Sequence, residues 1–188
     1  MLIQNLRITR QSVKLSDNVD FVYFERPGTP LHLQVLFNYG ARHVSSEKSG
    51  LAHFTEHMLL VGSEKFKTVK EQAAFIDQYG GYYNAYTGGE TLGVEVSIGD
   101  PDDFVVAVDF LSQVINHPLL PEEELESTKK TIVHEITQRE SDPSSFVWKL
   151  WNKAFFQETA LANSVLGSKE EVMGYTIDEI RSQYNRML

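Results

Sequence analysis

The sequence predicts an α+β domain: an antiparallel sheet with helices packed on one face. Before residue 100, short runs rich in β-branched and aromatic residues alternate with turn-forming Gly and Pro. From residue 100 onward, apolar residues recur at helical spacing instead. No internal repeat, low-complexity tract or linker divides the 188 residues. Hairpins followed by consecutive helices make a sheet that buries one face under the helices.

Residues 19–25, VDFVYFE, and 31–40, LHLQVLFNYG, have strand composition and flank the turn RPGTP, which predicts a hairpin. From Gly50 to Val61 the residues Leu51, Phe54 and Met58 recur at helical spacing, and Gly62 is the stop. A second helix is expected in residues 67–81, with Val69, Ala73 and Ile76 on one face and Gly80-Gly81 at its end. Residues 82–87, YYNAYT, and 91–98, TLGVEVSI, flank GGE as a second hairpin, in which Leu92, Val94, Val96 and Ile98 alternate. Asp100-Pro101 opens a third helix carrying Phe104, Val108, Leu111 and Ile115 up to Pro118. Pro121 and the acidic run Glu122, Glu123 and Glu124 suit the positive end of a fourth, which runs to about Ser141. Residues 144–156 and 176–188 read as two more helices, the last capped by Thr176 with Glu179 three residues on.

With 41% hydrophobic residues, including eleven Phe and eight Tyr, the chain can bury one core, so a single domain over 1–188 is expected. Its net charge of −9, without any basic run, argues against nucleic acid and anionic membranes as partners. The absence of cysteine leaves His, Asp and Glu as the available metal ligands. No apolar signal core or membrane-length apolar run is present, which predicts a soluble, unsignalled chain and favours the cytoplasm.

The stretch GLAHFTEHML, residues 50–59, carries the chemistry. On a helix, His53 and His57 lie about 40° apart and one turn along, so both imidazoles can reach one tetrahedral ion. By the same count they point away from the Leu51, Phe54 and Met58 stripe, toward water or a cleft. Glu56 falls beside them, where a carboxylate can take a proton from water without ligating the metal. This is a zinc-hydrolase arrangement with the glutamate in inverted order. Chance alone gives such a match in about 2% of chains with this many His and Glu, so a third ligand is needed. The helix ending near Ser141 offers His134, Glu135 and Glu140. His134 lies opposite the stripe of Leu125, Ile132 and Ile136 and should face solvent, whereas Glu135 and Glu140 flank that stripe on its two sides. Periodicity alone leaves both glutamates open.

Four segments together resemble the pitrilysin and insulinase family of zinc metallopeptidases, which includes mitochondrial processing peptidase. They are GLAHFTEHMLLVGSEKF, GGYYNAYTGGETLGVEVSI, ELESTKKTIVHEITQRESDPSS and VLGSKEEVMGYTIDEI. The resemblance runs from about residue 19 to the last residue and implies a mitochondrial processing peptidase-like domain. It implies one Zn2+ per chain held by His53, His57 and Glu135, with Glu56 as general base of a metalloendopeptidase. It also implies that residues 82–87 form an edge strand on which a peptide or unfolded segment adds as a further strand, with Asn84 and Ala85 as contact positions. Seven residues before the third ligand, where many members carry a glutamate that supports the metal site, this chain has Thr128. Losing such a carboxylate typically weakens metal affinity by about 10- to 100-fold.

Family enzymes build their chamber from two or more homologous domains, in one chain or between subunits. The expectation is therefore an N-terminal domain lacking a final strand and a second homologous domain, and weak or inactive in isolation. The rival reading is a non-catalytic homologous subunit, or a peptide-binding domain, that needs a partner. A metal-free α+β binding domain is a further alternative.

Overall fold

The computed structural model describes residues 8–188; the first seven residues of the expected unsignalled start lie outside them. The expected α+β architecture is present. β3 (Leu31–Phe37), β4 (Tyr82–Thr87) and β5 (Leu92–Ile98) form an antiparallel sheet in the order β3-β5-β4. The helices α1 (Leu51–Leu59), α2 (Val69–Asp77) and α3 (Phe104–Asn116) pack against one face of this sheet.

Strand β5 is central because its period-2 pattern supplies one wholly apolar face: Leu92, Val94, Val96 and Ile98 are all buried. In register, these residues lie opposite Phe37, Val35, Leu33 and Leu31 of β3. Across β4 the partners are Thr87 to Leu92, Ala85 to Val94 and Tyr83 to Val96. The opposite face is polar and solvated: Gln34 bonds Glu95 at 3.0 Å, and His32 Nδ1 lies 2.8 Å from Ser97 Oγ. The predicted 82–98 hairpin is therefore present.

The predicted hairpin between residues 19–25 and 31–40 is not. β2 (Val19–Glu25) pairs instead with β1 (Thr9–Ser16), a strand the sequence reading did not predict, in a separate two-stranded ribbon. The segment Thr9–Ser16 carries only Val13 and Leu15 as apolar residues, too few to announce a strand, and forms one by pairing around the tight Asp17-Asn18 turn. β3 is drawn to β5 because that register stacks four apolar cross-strand pairs on the buried face.

Among the helices, the predicted stripe of α4 (Leu125–Ser141) is buried at Leu125, Ile132 and Ile136. α7 (Ile177–Met187) starts with the expected capping box, in which Thr176 and Glu179 exchange side-chain-to-backbone bonds. Two other faces match expectation only in part. α2 buries Ile76 as expected, with Gln72, while Val69 is exposed; α3 buries Leu111 and Ile115 as expected, with Ala107, Phe110 and Val114, while Phe104 and Val108 are exposed. α5 (Pro143–Phe156) is helical as predicted but buries no residue, and α6 (Lys169–Gly174) is a short helix the sequence reading did not predict.

The core is centred on α1. Phe54, Met58 and Leu59 of α1 meet Val94 and Val96 of β5, Phe110 of α3, Ile132 of α4 and Ile180 of α7, each 0% exposed. Full burial of one such side chain stabilises by about 1.5–3 kcal/mol. The start of α1 is set by Gly50, whose φ of 89° places it in the left-handed region. Gly50 also meets Gly167: a Cβ on Gly50 would lie 2.4 Å from the Leu166 carbonyl oxygen, and one on Gly167 2.2 Å from that of Ser49. Glycine at both positions lets the two backbones touch, and the Tyr175 hydroxyl donates to the Ser49 carbonyl beside them at 2.8 Å.

Candidate metal and catalytic site

Three elements converge on one point. α1 supplies His53, Glu56 and His57; α4 crosses α1 and supplies Glu135; β4 supplies the hydroxyl of Thr87. α1 is wedged between β4, α4 and α7, so of the two surroundings expected for its histidine face, water or a cleft, the structure shows a cleft. His53 and Glu56 are each only 6% exposed, and His57 is the more accessible of the two histidines. The site is a crevice between α1, α4 and β4 rather than an open helix face.

The His53 and His57 Nε2 atoms are 3.2 Å apart. Glu135 Oε2 is 3.5 Å from His53 Nε2 and 3.6 Å from His57 Nε2. Ligand bonds of about 2.0–2.2 Å at tetrahedral angles separate the ligand atoms by about 3.3–3.6 Å, so this triangle has the size a tetrahedral ion requires. The donor set, two imidazoles and one carboxylate, suits a borderline metal such as zinc and leaves a fourth position free. Among the described residues, this is the one group of three or more His, Asp and Glu whose atoms lie close enough to hold a metal ion.

The electrostatics agree with that use. Burial, with the neighbouring His57, pushes the His53 pKa down to about 4, so its ring is neutral near neutral pH, the form that ligates metal. The His57 imidazole, with His53 adding, holds the Glu135 carboxyl below the ordinary glutamate range, so it is ionised. Burial pushes the Glu56 carboxyl above its ordinary value, against the lowering effects of its bond from Thr87 and of His57. Thr87 Oγ1 donates to Glu56 Oε2 at 2.8 Å.

The other candidates are placed unequally. His134 is exposed, as its helical position predicts. Glu140 is also exposed and is held by Lys149 and Lys169, each at 3.2 Å, outside the cluster. Thr128 is buried two turns before Glu135 and, with His57, lines a cavity of about 710 Å3 that also touches Leu60, Tyr83 and Thr131. Asn84 is exposed and Ala85 is buried on β4. Among the described residues β4 pairs only with β5, so its other edge is open. Sequence reasoning missed Thr87. The signal was available: a strand at residues 82–87 puts Thr87 on the same face as Ala85, two residues earlier.

A family model described as insulinase (peptidase family M16) matches residues 25–169. A Bacillus subtilis protein named uncharacterized zinc protease YmxG is 31% identical over 142 residues, which cover 76% of this chain and 34% of that protein. The human mitochondrial-processing peptidase subunit beta is 28% identical over 149 residues, 77% of this chain and 30% of the subunit. In three dimensions, a protease from Helicobacter pylori superposes with a TM-score of 0.86 at 17% identity, over 96% of this chain and 44% of its own. Pitrilysin superposes with a TM-score of 0.81 at 19% identity, over 99% of this chain and 21% of its own. These structures share the fold, and the chain spans about a third of the length of the curated relatives it matches.

Proposed function

This chain belongs to the insulinase family, peptidase family M16, and from that premise we propose that it is a zinc-dependent endopeptidase domain acting on peptides or unfolded segments. The observation that carries the reading is the convergence of His53 Nε2, His57 Nε2 and Glu135 Oε2 to ligand-shell spacing, with the Glu56 carboxylate on the same helix. His53, His57 and Glu135 would hold the ion. When bound, zinc supplies Lewis acidity toward the scissile carbonyl and toward water.

The chain's own groups do the rest. Glu56 takes the proton of the attacking water and delivers it to the leaving amine; its burial, which pushes the carboxyl above its ordinary value, favours the protonated form it passes through. The open edge of β4 receives the substrate backbone as an added strand, with Asn84 and Ala85 at the contact. Pairing through backbone N–H and C=O groups selects extended chain over folded protein and makes little demand on side chains. The crevice between α1 and α4 limits the water that reaches Glu56.

On this reading these groups form one wall of a substrate cleft. A second homologous domain, on the same polypeptide or on a partner, is the proposed source of the opposing wall, in keeping with the longer relatives. The test measures zinc content beside cleavage of a fluorogenic peptide. One zinc per chain is expected, and Glu56→Gln should keep the zinc while abolishing hydrolysis, because it removes the base without touching a ligand. Zinc binding that survives His57→Ala, or cleavage at the parent rate by Glu56→Gln, contradicts the reading.

A further inference from the structure

We propose that Thr87 is the positioning residue that holds the Glu56 carboxylate in register with a peptide bound along β4; this rests on reading Glu56 as the general base. Glu56 is almost wholly buried, and its one side-chain hydrogen bond among the described residues is the 2.8 Å contact from Thr87 Oγ1 to Oε2. That bond leaves Oε1 as the oxygen available to a proton. A glutamate side chain turns about three bonds, and helix α1 fixes only its Cα. The Thr87 contact fixes the far end as well.

The bond also joins two different elements. Glu56 stands on α1 with the two histidines, whereas Thr87 stands on β4, two residues beyond Ala85 and opposite Leu92 of the central strand. At about 3.3 Å per residue, Thr87 lies roughly 7 Å along the strand from Ala85, within the span of a short added peptide. A peptide paired to β4 takes its register from the β4 backbone. The base, tethered to the same strand, then keeps its place relative to the scissile bond even when α1 shifts against the sheet. On this reading the carboxylate is set by the surface that receives the substrate as well as by the helix that carries the ligands.

The bland alternative is that Thr87 only satisfies a buried carboxylate. The two are separated with the full chain loaded with zinc, using N-acetyl-leucine hydroxamate as probe, whose acidic hydroxyl hands its proton to the base. Hydroxamate affinity is measured by calorimetry and zinc affinity by chelator competition, for the parent, Thr87→Val, Thr87→Ser and Glu56→Gln. Thr87→Val should weaken the hydroxamate on the order of tenfold while zinc affinity stays within about twofold, the scale of one hydrogen bond to a charged group. Thr87→Ser, which restores the hydroxyl, should recover the parent value. Parent-like hydroxamate binding by Thr87→Val, no recovery in Thr87→Ser, or a parallel loss of zinc affinity overturns the positioning role and leaves the base reading standing. No hydroxamate binding by the parent, or unchanged binding by Glu56→Gln, removes the base reading and the proposal with it.

Discussion

The choice between two glutamates shows what residue-scale geometry adds. Glu135 and Glu140 flank the same buried stripe of α4 and are equivalent by periodicity. In the fold, Glu135 lies 3.5 Å from His53 Nε2, whereas Glu140 is drawn away by Lys149 and Lys169. Glu135→Gln is therefore expected to lower zinc affinity far more than Glu140→Gln or His134→Ala, measured by chelator competition; equal losses would count against the cluster as the ion's seat. His53 carries a pH consequence. Its folded pKa of about 4 lies below the ordinary 6.5, so between these values the unfolded chain binds a proton the folded chain does not. Stability is then full above about pH 6.5 and falls as the pH drops toward 4, by roughly 1–3 kcal/mol. Glu135, with its lowered pKa, loses stability in the same direction at still lower pH, while the raised Glu56 works against both. Urea unfolding with a chelator present should show this decline in the parent, and His53→Gln should flatten it.

At the scale of the element, α1 depends on how its first residue is held. Gly50 combines a φ of 89° with backbone contact to Leu166 and Gly167, which ties the N-terminus of the ligand helix to the segment that enters α6. Gly50→Ala adds left-handed strain of about 1–2 kcal/mol and a methyl with no room. A total loss of roughly 2–4 kcal/mol is expected by urea unfolding, since the two backbones must separate. An unchanged midpoint would show that the crossing is not a fixed contact. The elements themselves were largely legible: the hairpin of β4 and β5, the stripe of α4 and the cap of α7 follow from patterns within a few residues. β1 was not, because its strand state depends on β2 and its own composition is polar. The faces of α2 and α3 were legible at Ile76, Leu111 and Ile115 but not at Val69, Phe104 and Val108, because a helical period shows that a stripe exists and only the packing around it decides which of its residues are covered.

For the whole molecule, one wall of a cleft is expected to bind zinc yet cleave poorly, since the transition state lacks donors from the opposite side. Adding a homologous second domain or subunit should raise kcat/KM for an extended peptide by several powers of ten, with Glu56→Gln as the blank; full activity of this chain alone would contradict the two-domain proposal. The sequence by itself determined the α+β class and the pair His53 and His57 with Glu56 between them, because one helical turn brings such residues together without help from the rest of the chain. Its longer motifs also pointed to Glu135 through family resemblance, ahead of any geometry. The same resemblance implied the edge position of β4; only the tertiary structure decided that the histidine helix is buried, that β3 pairs with β5 rather than β2, and that Thr87 bonds Glu56. The bond from Thr87 to Glu56 joins residues 31 positions apart, the pairing of β3 with β5 joins residues 55 to 67 apart, and local periodicity carries no record of which distant face will supply the larger burial.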